Sequence, residues 1–264
     1  MTDEVPGFAK TTFAYDGKTR DVYRAGSGPA VIVIHEMPGL HPLVVEFGQR
    51  LVDEGYTVFM PSLFGRPGAP FANGPMARAL GEVCVSREFS LLSTRTPRVI
   101  SWLRALADQA YAECGGPGVG AIGMCFSGGF VVAMAVEPPV VAAVLSQPGL
   151  PAPVSARRRA AIQIDPADLT KVKRRAREDG LCVLGLRFTG DRGTPPERFA
   201  MLREELGDAF EGIEIDSSPG NAAGIKKSAH SVLTLELVDQ PGHPTRDAYD
   251  RLLVFLADRL RVSS

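Results

Sequence analysis

The residues with the most chemical promise lie in Gly120-Ala121-Ile122-Gly123-Met124-Cys125-Phe126-Ser127-Gly128-Gly129. An apolar strand runs into a glycine-rich turn, and a thiol stands two residues after a glycine. That is where a nucleophile elbow presents its reactive side chain. Such an elbow strains the backbone, so its neighbours must be small, and Gly123 and Gly128 supply the room. The turn leaves the side chain at a helix N-terminus, where free N–H groups and the helix dipole favour a thiolate, the attacking form of cysteine. Ser127 has Cys125 rather than glycine two residues before it, so Cys125 is the preferred nucleophile. The competing reading is an inert cysteine buried in a tight strand-to-helix crossing.

A nucleophile of this type needs an acid and a histidine, each after a later strand. Asp191 follows the apolar run Cys182–Thr189, where a carboxylate can hold an imidazole in one tautomer. A turn or cap role for the helix at Pro195 is open to it as well. Two histidines lie downstream, His230 and His243. His230 comes after the strand expected over Phe210–Asp216. His243 becomes the base only if Val232–Val238 is an extra strand; otherwise it sits in the turn that starts the last helix. His230 is therefore preferred. Upstream, the run Val31 to Ile34 ends in His35-Glu36-Met37-Pro38-Gly39. The N–H groups of Met37 and Phe126 are the candidates for an oxyanion hole. Glu36 at that strand end needs a partner or a proton if it is buried; a surface carboxylate bonded to backbone is the alternative.

These residues require strands that end on one side of a sheet. Short apolar runs alternate with amphipathic segments throughout, which predicts an α/β fold with a mostly parallel sheet and helices on both faces. A hairpin is expected around Asp16-Gly17, from Thr11–Tyr15 and Arg20–Ala25. Further strands are expected at Ala30–His35, Tyr56–Pro61, Val119–Met124 and Val140–Ser146, besides those at Cys182–Thr189 and Phe210–Asp216. Helices are expected at Val44–Glu54, Pro97–Ala112, Gly128–Val136, Asp165–Asp179, Pro195–Leu206 and Arg246–Leu260, with a Pro/Gly-rich loop over Ser62–Pro75. Without repeats or breaks in composition, residues 1–264 read as one domain. In such sheets ligands bind beyond the carboxyl ends of the strands.

The HEMPGL segment at 35–40, the Gly-x-Cys elbow, Gly190-Asp191 after a strand and a later histidine together resemble the dienelactone hydrolase family of the α/β-hydrolase superfamily. The resemblance extends from Ala30 to the final helix. It implies an α/β-hydrolase fold and a Cys125–His230–Asp191 triad that cleaves a small carboxylic ester or lactone through a thioester. It also implies that Glu36 is a fourth participant, touching the resting thiol and accepting its proton when substrate binds. Two departures stand out. Ser127 replaces the first glycine of the family's closing pair, and the histidine is reached through a longer loop, Pro219 to Ala229. Family members acting on dienelactone bind its carboxylate with arginines; Arg87 and Arg95 lie in a suitable region and are equally suited to solvated surface positions. The rival to hydrolysis is a redox-sensing or ligand-binding thiol protein on the same scaffold.

Bulk properties narrow the partners. The net charge is −1, which gives no footprint for nucleic acid or an anionic membrane. The basic runs at Arg157–Arg159 and Lys171–Arg177 suit solvated helix faces. No run approaches the ~20 apolar residues of a membrane span, and MTDEVPGFAK does not read as a secretory signal. A cytoplasmic protein with reduced thiols is expected, the four cysteines having no metal-type spacing. The glycines at 120 and 123 fall in a strand, so they form no dinucleotide fingerprint. No cofactor or metal is called for, and the expected partner is a small ester or lactone.

Overall fold

The computed structural model describes residues 5–86 and 88–261, so Arg87 and the first four residues of the N-terminal segment lie outside it. Its backbone is organised by one sheet of eight strands: β1 (Ala9–Tyr15), β2 (Lys18–Ala25), β3 (Ala30–Ile34), β4 (Thr57–Pro61), β5 (Val119–Met124), β6 (Val140–Ser146), β7 (Cys182–Phe188) and β8 (Phe210–Ile215). The strand order is β1-β2-β4-β3-β5-β6-β7-β8. β1 and β2 form an antiparallel hairpin and β2 pairs antiparallel with β4; all further pairs are parallel. The hairpin turns at Asp16 and Gly17, both at positive φ (49° and 71°), the pattern that matches the twist of the flanking strands.

Strand periodicity divides the core into two layers. In β3, Val31 and Val33 face a layer with Val44, Phe47 and Leu51 of α1 (Pro42–Asp53) and with Leu252, Phe255, Leu256 and Leu260 of α8 (Pro244–Leu260). Ala30, Ile32 and Ile34 face the opposite layer. That layer holds Trp102, Leu103 and Leu106 of α3 (Val99–Cys114), Val172 of α6 (Pro166–Glu178), and Phe199 and Leu202 of α7 (Pro196–Leu206). The α/β-hydrolase architecture with helices on both faces follows. Three further helices complete the described chain: α2 (Asn73–Val85), α4 (Phe130–Met134) and α5 (Ala156–Arg159). No helix among the described residues is long and apolar enough to cross a membrane.

Two corrections to the sequence reading concern this layer. The expected loop at Ser62–Pro75 ends early, because α2 begins at Asn73. This helix buries only Ala79 and Val83, so its apolar stripe is too thin to reveal it. The helix expected over Gly128–Val136 is shorter, Phe130–Met134, and a 3₁₀ turn at Cys125–Ser127 precedes it.

Candidate active site

Four parallel strands, β3, β5, β6 and β7, end side by side, and within three residues of three of the tips stands a polar side chain: Glu36 after β3, Gln147 after β6 and Asp191 after β7. Cys125 follows β5 between them. Its φ of 49° lies in the left-handed region, which is strained for a residue with a Cβ. The small neighbours are obligatory. A Cβ on Gly123 would lie 2.4 Å from the Ser127 carbonyl oxygen, and one on Gly128 would lie 2.6 Å from Pro148 Cα. Ser127 turns inward and is fully buried. Its hydroxyl accepts from the Met124 N–H (3.0 Å) and donates toward the Ile34 carbonyl (2.8 Å), so it staples the elbow to the tip of β3. Phe126 anchors the other side, its ring packed edge-on against Phe64, Phe89 and Phe130 at centroid distances of 4.9, 5.3 and 5.9 Å.

Cys125 itself is partly exposed. His230 lies near enough to feel it electrostatically; its ring is about one-third exposed and its Nδ1 bonds Asp191 Oδ2 at 2.7 Å. With Nδ1 on Asp191, Nε2 is the ring nitrogen left for another partner. Burial opposes charge on His230, but neighbouring Cys125 and Asp191 outweigh it and raise the imidazole pKa well above its ordinary value. Asp191 is 8% exposed. Burial pushes its pKa up, yet hydrogen bonds from His230, the Gly193 N–H (2.8 Å) and Thr194 hold it below the usual carboxylate range. A cleft of about 490 Å³ opens beside this pair, lined by Gly190, Asp191, Arg192, Gly193, Lys227 and Ser228.

Glu36 is placed differently. It is 1% exposed, and its carboxylate bonds only to side chains. Oε2 accepts from Ser231 Oγ (2.7 Å) and Gln147 Nε2 (3.3 Å), and Oε1 from His41 Nε2 (3.2 Å) and the Thr234 hydroxyl. Burial disfavours its charge, but the bonds from His41, Thr234 and Ser231 prevail and lower its pKa. Cys125 is not among these partners. Gln147, at φ 37°, accepts in turn from the Val232 N–H (3.2 Å). Glu36 and Gln147 thus grip 231–234, the segment immediately after His230.

The remaining candidates separate cleanly. Met37 is 9% exposed and opens a turn in which the Gly39 N–H donates to the Glu36 carbonyl (2.8 Å), while Phe126 lies in the first turn of a 3₁₀ helix, where N–H groups lack intrahelical partners. His243 is the N-cap of α8, its Nδ1 accepting from the Thr245 N–H, and residues 232–236 form turns, with no strand over 232–238. Arg95 is 80% exposed and pairs with Asp165 at 3.1 Å, and Arg87 lies outside the described residues. His35 is buried with both ring nitrogens bonded, to the Glu36 carbonyl and the Leu63 N–H (both 3.0 Å), and burial lowers its pKa to about 4. Gln147, Thr234 and His41 went unnoticed in the sequence. Gln147 had a signal: a polar residue just past a largely apolar strand, much as Glu36 is. The others meet Glu36 only through the fold.

The same fold occurs in solved proteins of low sequence identity. A candidate dienelactone hydrolase from Klebsiella pneumoniae is 20% identical, covering 95% of this chain and 98% of its own, with a TM-score of 0.61. A dienelactone hydrolase from Anabaena variabilis is 16% identical, covering 98% and 100%, with a TM-score of 0.60. A dienelactone hydrolase-like promiscuous phosphotriesterase from metagenomic libraries is 17% identical, covering 96% and 98%, with a TM-score of 0.59. A comparison with curated proteins finds no match. The sequence model of the dienelactone hydrolase family matches residues 18–170, more than half of the chain and including β3, its Glu36 tip and the Cys125 elbow, so this protein belongs to the dienelactone hydrolase family.

Proposed function

We propose that the protein hydrolyses a small carboxylic ester or lactone with Cys125 as nucleophile. One observation carries the reading: a partly exposed sulfur on a left-handed elbow, near an imidazole whose Nδ1 is held by a buried carboxylate. The Cys125 thiolate attacks the carbonyl carbon, and the C–S bond forms as the carbonyl electron pair moves to oxygen. The Met37 and Phe126 N–H groups receive that oxyanion. The His230 imidazolium passes its Nε2 proton to the departing alkoxide as the C–O bond breaks, leaving a thioester. His230 then takes a proton from water. The hydroxide adds to the thioester carbonyl, and the thiolate leaves with the restored imidazolium beside it.

Asp191 orients the ring and stabilises its charge throughout. Glu36 contributes at one remove, by fixing the segment that presents His230. The raised imidazole pKa suits His230 to its role as proton donor to the leaving oxygen. The test is Cys125→Ala against wild type on a panel of short-chain aryl esters and enol lactones. Turnover should fall to background, and acyl-enzyme should be trapped on Cys125 of the wild type. Undiminished turnover in the variant would end the proposal.

A further inference from the structure

Behind the Cys125–His230–Asp191 line runs a second connection between the loops that carry the sulfur and the carboxylate. Its centre is Arg198 on α7, which is 0% exposed. No ion pair among the described residues includes it. Its donors go to carbonyls: Nη1 to Pro148, and Nη2 to Pro151 (2.8 Å) and Arg158 (2.9 Å). Nε is buried without a partner. A buried cation with no carboxylate against it is costly. Burial lowers the Arg198 pKa to about 10 while the charge of Asp191 resists, so the group stays charged at neutral pH.

What this guanidinium grips is the loop after β6. Pro148 and Pro151 have no N–H of their own, which limits how far the loop can bond to itself. The Pro148 carbonyl also lies 3.4 Å from the Thr194 hydroxyl, and that hydroxyl stands close enough to Asp191 to help hold its charge, so the two acceptors compete for its one proton. The next residue, Gly149, donates its N–H to the Cys125 carbonyl at 2.7 Å. A Cβ on Gly149 would stand 3.8 Å from the Cys125 sulfur. Thr194 is fixed from its other side by Arg187, whose Nε donates to the Thr194 carbonyl at 2.9 Å. The links run Asp191 to Thr194, Thr194 to Pro148, and Gly149 to Cys125, with Arg198 clamped on the middle one.

We infer that Thr194 and Arg198 are positioning residues that set the separation between the Cys125 elbow and the Asp191–His230 pair by gripping Pro148 from the α7 side. The inference rests on the proposed Cys125 chemistry for its meaning, but its geometry is independent of it. Neither residue touches the reacting atoms. A shift of the Pro148–Gly149 peptide moves the Cys125 backbone while the dyad stays with β7, so the effect falls on the step that needs both.

The test uses two conservative variants of the full chain. Thr194→Val keeps shape and loses the hydroxyl; Arg198→Lys keeps the charge and loses the planar fork. Each is assayed for kcat and KM on a p-nitrophenyl ester, and for the rate of Cys125 alkylation by iodoacetamide across pH, read by mass spectrometry. The expected result is a kcat loss of about tenfold with KM within about twofold, since a small misplacement acts on the transition state. Alkylation of Cys125 should slow and its pH profile should move. Arg198→Met should fall furthest; if it does not fold, the two conservative variants decide. Parental kcat and a parental alkylation profile in both would overturn the inference. Should Cys125→Ala keep its turnover, the functional proposal fails, and the alkylation profile alone then decides: displaced supports the brace, unchanged refutes it.

Discussion

Two buried carboxylates stand beyond the tips of parallel strands in this sheet, and their partners differ in exposure. Asp191, after β7, is bonded to an imidazole that is itself one-third exposed beside an open cleft. Glu36, after β3, is sealed in and saturated by four side chains, two of them from the segment that follows His230. The contrast teaches that a strand-end carboxylate can serve a site in two ways. One orients a group that must change its proton; the other holds the chain that carries that group. The first arrangement needs access and few partners, the second needs burial and many.

The sharpest way to break this comparison is to neutralise each carboxylate in turn. Asp191→Asn should lower kcat by about 10³–10⁴-fold, through the wrong imidazole tautomer, with little change in the urea midpoint. Equal activity in that variant would remove the orienting role. Glu36→Ala should instead lose about 3–5 kcal/mol of stability in urea unfolding, because a buried histidine, an amide and two hydroxyls lose their common acceptor. If activity vanished while stability held, Glu36 would belong with Asp191 and the contrast would be gone.

A gentler change sharpens it. Thr234→Val removes one of the bonds that lower the Glu36 pKa and should cost about 1–3 kcal/mol. The sign follows from linkage. With its folded pKa below the ordinary 4.5, Glu36 contributes stability above that value and loses it as pH falls through the folded pKa. In Thr234→Val acid unfolding should therefore begin at a higher pH, seen by following the urea midpoint downward from neutrality. The smallest effect belongs to the other downstream histidine. His243→Ala removes the cap of α8 and should cost about 1 kcal/mol with kcat unaltered.

Much of this was legible in the chain itself. Val119–Met124 and Val140–Ser146 are apolar without a break, the mark of strands covered on both faces, and they occur with those bounds. The meeting of His230 with Asp191 follows the order of the strands, and β8 ends before the histidine loop. What stayed hidden depends on contacts between distant segments. Thr234 is 198 residues from Glu36, and Arg198 is 50 from Pro148, and no local pattern marks either pair. Helix α2 was hidden for a different reason: Gly74, Pro75 and Gly81 speak for a loop, and too little of it is buried to contradict them.

The left-handed backbone at Cys125 has a consequence for what else that position could hold. A side chain forked at Cβ would collide with the bend, so threonine is shut out on shape alone. Serine is not, since an oxygen takes up less space than a sulfur on the same carbon. The framework of this protein is thus neutral between the two elements, and the choice of sulfur over oxygen is a decision about reactivity that the scaffold leaves open.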